Sequence, residues 1–401
     1  MDRKQLRLAG SLIGTLLTAA TPAVAQPTPD PAAPVISGEV LIVPGDDETL
    51  QPDAAGFRIR SLPALTGKVI AALGDHFHTI TVWLTFTDRG DLAGAYSATI
   101  KNDVRGLGLR LRDDSAKYGS AGVLRTVINM KDWGLRTGDT LDSWARNRTL
   151  PVWAQEYAHR WGMFLLVRDP RLNQPSELLL GRDCSHYSRY VETQGSVMDG
   201  FSWKDNGDGS FAQSERAVRL SNLDLYTMGL LDPEEVPPFF LIDEIPGFVH
   251  PGCGAEYARA PFPTETTVRG KRIDLTIDDL LFANGPRVAA TEAPEDSFRE
   301  AIVVLTRIGE AATDPVPTML AARLNRARPW WDDWLRTATR KRLHNCTRLT
   351  GPCEDPRADV EAVRAQPDWR PGQASLPVAV TVVNSGTGDL PGGTVRLERR
   401  M

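Results

Sequence analysis

A chain of 401 residues that is 41% hydrophobic and 24% charged has room for two domains and a sizeable core, which excludes a fibrous or wholly disordered protein. Its formal charge is −5, and this mild acidity argues against nucleic acid as a partner. No apolar run beyond the N-terminus reaches the roughly 18 residues of a spanning helix, so no membrane span is expected.

Residues 1–25 carry Asp2-Arg3-Lys4 and Arg7, then an apolar run, then Ala23-Val24-Ala25. This is the layout of a secretory signal peptide, so the mature chain is expected to start near Gln26 and to be secreted or periplasmic. Removing three positive and one negative side chain takes the charge from −5 to −7. Residues 26–37, rich in Pro and Ala, read as a tether. Gly38 to Val43 reads as a short strand. In GDHFHTITVWLTFTDRG, Ile80, Val82, Leu84 and Phe86 alternate with Thr79, Thr81, Trp83 and Thr85, the pattern of a half-buried strand. A second strand is expected from Leu124 to Met130.

From Thr149 to Arg168 the apolar residues Ala154, Tyr157, Ala158, Trp161, Phe164 and Leu165 recur at helical spacing, with Pro151 in the first turn and Asp169-Pro170 as the stop. Val152, Met163, Leu166 and Val167 cover the far side, so this helix should be buried. Residues 171–260 read as long loops with short helices, the usual place for site residues. Helical pattern returns over Ser297 to Gly309 and from Pro317 to Leu343, where Trp330, Trp331 and Trp334 read as core anchors rather than a ligand platform. Residues 354–376 read as a linker. Val378, Val380 and Val382 before a Gly-rich turn read as strand, turn and strand over 377–401. That is too short to close a β-sandwich, so either the chain is a fragment or the hairpin pairs with something else.

Four cysteines in an exported chain suggest disulfides, with three possible pairings. Cys346 with Cys353 would close a tight local loop and leave Cys184 with Cys253. His76 and His78 continue the buried face of the first strand; an H-x-H pair on a strand can ligate metal, but at a strand entrance it more often caps the core or faces water. DNGDG at 205–209 fails the calcium-loop pattern, because Lys204 would stand in its first place, and reads as a tight turn. His250 and His344 have no companions that suggest chemistry. The sequence carries no G-x-S-x-G, Walker-type or dinucleotide fingerprint.

Inside the buried helix lies QEYAH, one letter from the zinc-binding HExxH. Gln155 and His159, four apart, project on one side, with Glu156 beside them. Read blandly, the three form a satisfied hydrogen-bond cluster, because unpaired buried polar groups cost roughly 1–3 kcal/mol. The neighbouring runs QEYAHRWG, LLLGRDCSHYS, GSVMDGFSW, NGDGSF and SNLDLYTMGLLDPEEVPPFFLID, with upstream TVWLTFTD, IKNDVRGLGL and DDSAKYGSAGVLRTVINM, resemble a group of secreted bacterial proteins of the zincin metallopeptidase type. The resemblance spans roughly residues 75 to 345.

The resemblance implies an α+β fold: a zincin-like domain over 38–353, with an N-terminal sheet, an active-site helix and a helical C-terminal lobe. It implies zinc held by His159, with His186 as a further ligand and Asp224 competing for that role, Glu156 as general base, and Met198 in a turn beneath the metal. The departures are Gln155 in place of the first histidine and Tyr187 in place of a tryptophan. An amide oxygen is a poor substitute for imidazole at zinc, so the expectation is a metallopeptidase-like protein with weakened or lost activity, a pseudoenzyme. An active metallopeptidase with an altered ligand set, acting on a peptide or protein substrate, remains an alternative. So does a non-catalytic extracellular binding or surface-interaction protein with a cell-surface partner. For the latter, VTVVNSGTGDLPGGTVRL resembles the start of a cell-adhesion-related β-sandwich, incomplete here.

Overall fold

The computed structural model describes residues 30, 32–53, 56–88, 94–213, 219–246, 267–289, 297–351, 353, 358–365 and 378–384. The expected signal peptide, Cys253, His250 and residues 385–401 lie outside them. The architecture is α+β. Its main sheet is seven-stranded and built from β1 (Val35–Ser37), β2 (Val40–Gly45), β3 (Thr79–Leu84), β4 (Tyr96–Thr99), β5 (Thr126–Asn129), β6 (Ser297–Ile308) and β7 (His344–Cys346). The order is β1-β2-β6-β3-β5-β4, with β7 pairing the start of β6. The four strands β2, β6, β3 and β5 run parallel, while β1 and β4 are antiparallel additions. Part of the expected tether is thus the edge strand β1.

The expected helix over Ser297 to Gly309 is instead the strand at the centre of the sheet. Ala301 to Leu305 are all buried, because helices α1 (Leu62–Leu73), on one side, and α2 (Thr149–Ala158) and α4 (Pro315–Ala338), on the other, cover the sheet. A parallel strand buried on both faces is a continuous apolar run, and such a run has no period to separate strand from helix. The same burial corrects β3, expected to be half-buried: all six of its residues are inside. Ile80, Val82 and Leu84 pack with Leu65 and Val69 of α1, while Trp83 meets Trp144 and Trp153 at ring separations of 5.6 and 5.0 Å.

Helix α2 stops about ten residues earlier than its apolar pattern. The amides of Arg160 and Trp161 bond back three residues, to the carbonyls of Tyr157 and Ala158, which tightens the last turn ahead of Gly162 and ends the helix. Trp161, Met163 and Leu165 remain core residues from an irregular segment, so burial produced the pattern without the helix. The stretch 171–260 holds the short helix α3 (Asn222–Met228) as well as strands. DNGDG is the turn of a hairpin between Trp203–Asp205 and Ser210–Gln213, with Asp205 and Asp208 accepting from the amides two residues ahead. Within the stretch expected to be a linker, Ala358–Ala365 forms a strand paired antiparallel with Val378–Asn384. Among the described residues no helix is long and apolar enough to cross a membrane.

Candidate functional site

Helix α2 buries Trp153, Ala154, Glu156, Tyr157 and Ala158, which leaves Gln155 and His159 half-buried on its remaining side. His159 caps the helix C-terminus, its amide bonding to the Gln155 carbonyl at 3.1 Å. Its Nδ1 lies 3.3 Å from the Gly162 carbonyl. With that nitrogen donating, the ring's lone pair sits on Nε2.

His186 arrives from a loop pinned on both sides. The Ser185 carbonyl accepts from the Met163 amide at 3.1 Å, the His186 carbonyl from Gly181 at 2.7 Å, and the Tyr187 amide donates to the Met198 carbonyl at 2.8 Å. Gly181 is required by this packing, since a Cβ there would fall 2.2 Å from the Tyr187 carbonyl oxygen. The loop delivers the His186 ring edge-on to His159, with centroids 4.7 Å apart and planes at 90°. Two expected ligands, 27 positions apart in the chain, therefore touch.

Asp224 is held in a network of hydrogen bonds. It sits at the third position of α3 and forms a capping box with Ser221. Its Oδ2 accepts from Ser196 Oγ and from the Ser221 amide, both at 2.6 Å, and its Oδ1 from the Tyr187 hydroxyl at 3.1 Å. Burial pushes its pKa up against these hydrogen bonds. The carboxylate thus fastens both the residue after His186 and the turn of Met198, whose amide bonds to Ser196 Oγ at 2.9 Å. Tyr187, the smaller departure from the family pattern, is matched to this carboxylate, whereas an indole N–H would have to reach it from another position. Met198 is wholly buried under the loop.

Among the described residues no three His, Cys, Asp or Glu side chains come together as a metal-binding group. The His159–His186 pair is what the fold supplies, and the amide of Gln155 stands on the same helix. Cys346 and Cys353 are bonded as a disulfide. Cys184 is also disulfide-bonded, and Cys253, its expected partner, lies outside the described residues.

Glu300 escaped the sequence reading. It is wholly buried at the centre of the sheet and takes four hydrogen bonds, from Thr81 Oγ1 at 2.5 Å, Trp153 Nε1 at 3.0 Å, Trp331 Nε1 at 2.8 Å and Asn345 Nδ2 at 2.7 Å. Trp153 and Trp331 stack at 4.5 Å with planes 7° apart. One carboxylate therefore ties β3, β6, β7, α2 and α4 together, and burial pushes its pKa up. The available signal was a lone acid in the run FREAIVVL, since a charge within an apolar run must find partners. Beside it, Asp332 is pushed up to about 7, chiefly by burial and further by the Glu300 charge. His78 is a structural acceptor, its Nδ1 taking the Arg299 amide at 3.0 Å; burial and then Arg160, Arg125 and Arg299 push it down to about 4.

No protein-family model, curated protein or solved structure matches this chain.

Proposed function

We propose that the chain is an exported, zincin-like metallopeptidase relative whose peptidase activity is weakened or lost at Gln155. The observation that carries this reading is the edge-to-face contact of His159 and His186 at 4.7 Å. Two imidazoles on one tetrahedral ion, with nitrogen about 2.0–2.1 Å from the metal, would hold their ring centres about 5 Å apart. The pair fits such a group, and His159, His186 and Gln155 are the residues that would hold it. Bound zinc would supply a polarised carbonyl and a water of lowered pKa.

The chain's own residues supply the rest. The Gly162 carbonyl fixes the tautomer of His159, the support that ligating imidazoles ordinarily need. Glu156, on the same turn as Gln155, would take the proton of an attacking water. Gln155 offers only a neutral amide oxygen, which binds a borderline-soft ion less well than imidazole. Two strong ligands where such enzymes use three make the metal weakly held, and the loss of activity follows from that.

Zinc titration of purified mature protein against a chromophoric chelator tests the reading. Zinc binding should be measurable but weak, abolished in His186→Ala, and at least about tenfold tighter in Gln155→His, the gain of one imidazole ligand. Equal affinity in wild type and Gln155→His would mean that the three positions do not converge on one ion, and the proposal would fall.

A further inference from the structure

A cleft of ≈ 520 Å³ opens between the last turns of α4, the start of α2 and the approach to α3, within the size range of small-ligand sites. Its existence depends on how α4 distributes three tryptophans. Trp331 is wholly buried on Glu300, while Trp330 and Trp334, one turn apart, are half-buried and line the cleft with Leu150 and Leu220. Trp331 is the fully buried anchor of the three, while Trp330 and Trp334 pack against the core and also line the cleft.

The polar lining is unbalanced. Arg219 and Arg340 both reach the cleft, and both are exposed. Among the described residues Arg219 has no side-chain hydrogen bond or ion pair, and the indole N–H groups of Trp330 and Trp334 have no acceptor. Two of the wall's acceptors are already engaged. Asp333, the lone carboxylate among the described lining residues, pairs with Arg336 at 2.9 Å, and Asn222 Oδ1 accepts from Arg340. Spare donors and positive charge beside indole rings complement a ligand that is anionic, rich in acceptors and carries an apolar group.

We propose that this cleft binds an organic carboxylate bearing an aromatic or branched apolar group, the chemistry shared by a free aryl-carboxylic acid and by the C-terminal residue of a peptide. The guanidinium of Arg219 takes the carboxylate, with Arg340 beside it, and the Trp330 and Trp334 rings take the apolar group. The site uses none of the residues of the histidine pair, so it stands or falls apart from zinc.

Calorimetric titration of the full mature chain decides it. The probes are 3-phenylpropionate, its neutral amide, propionate, and a tetrapeptide ending in phenylalanine with a free or amidated C-terminus. 3-Phenylpropionate and the free-acid peptide should bind at least about tenfold tighter than their amides, the difference one charge-assisted contact makes, and at least about tenfold tighter than propionate, which lacks the apolar group. Arg219→Gln should remove the margin over the amides and Trp334→Leu the margin over propionate, and His186→Ala should leave both intact. Tighter binding of the peptide than of phenylpropionate identifies a peptide terminus as the source, and the reverse identifies a small acid. No binding at millimolar concentration, equal binding of acid and amide, or an unchanged margin in Arg219→Gln overturns the proposal.

Discussion

Replacing Glu300 should be among the most damaging single changes in the chain, and the cost can be worked from its four partners. In Glu300→Ala the donors on Thr81, Trp153, Trp331 and Asn345 lose their acceptor inside a dry core. At about 1–3 kcal/mol for each orphaned group the sum is on the order of 4–12 kcal/mol. That rivals the roughly 5–15 kcal/mol by which a typical domain is stable, so this variant should fail to fold. Glu300→Gln is the informative case. An amide keeps one acceptor oxygen but turns an NH2 group towards two donors. Thr81 can rotate its hydroxyl to accept, but Trp153 Nε1–H cannot, so one tryptophan faces a like group. The expected loss is about 2–4 kcal/mol. Urea unfolding followed by fluorescence reads it directly, since the stacked Trp153–Trp331 pair sits on the carboxylate. If Glu300→Gln unfolds within about 0.5 kcal/mol of wild type, the size of an ordinary surface change, Glu300 does not hold the sheet to its helices as described.

Substitutions at two further carboxylates, Asp332 and Asp224, extend the test. Asp332 is pushed up to about 7 in the fold, above an unfolded value of about 3.9, so the folded state holds the extra proton between those limits. Its contribution is therefore full below about pH 4 and lost as pH rises through about 7, at most about 4 kcal/mol in all. Unfolding at a series of pH values should show Asp332→Asn gaining on wild type as pH rises, and a constant gap between the two would contradict the assignment. For Asp224, Asn retains an acceptor for the Ser221 amide and Ser196, while the Tyr187 hydroxyl can turn to accept, so zinc affinity should stay within about threefold of wild type. Asp224→Ala, with three donors released, should lose stability and zinc together. Loss of zinc in Asp224→Asn as complete as in His186→Ala would make Asp224 a ligand instead of a positioning residue.

Local chemistry was enough to read several elements. The strands at Thr79–Leu84 and Thr126–Asn129, the turn at DNGDG and the short-range Cys346–Cys353 disulfide depend on neighbours within a few residues, and each stands in the structure. QEYAH was legible as helix for the same reason, since Gln155 and His159 are one turn apart whatever lies around them. The end of that helix was not, because Trp161 and Leu165 are buried by the rest of the fold while no longer helical.

Tertiary structure alone decided what depends on both faces of an element at once. Ser297–Ile308 is a strand because β2 and β3 flank it and helices cover it, a fact its unbroken apolar run cannot carry. Glu300 is tolerable there because four donors from distant segments meet it. The three tryptophans of α4 differ only in the direction each takes around the helix, yet one seals the core and two line a cleft. His159 and His186 are each unremarkable in sequence, and only the loop held by Asp224 and the Met198 turn sets their rings in contact. Sequence fixes what a residue can donate or accept, and long-range packing fixes which partner it meets.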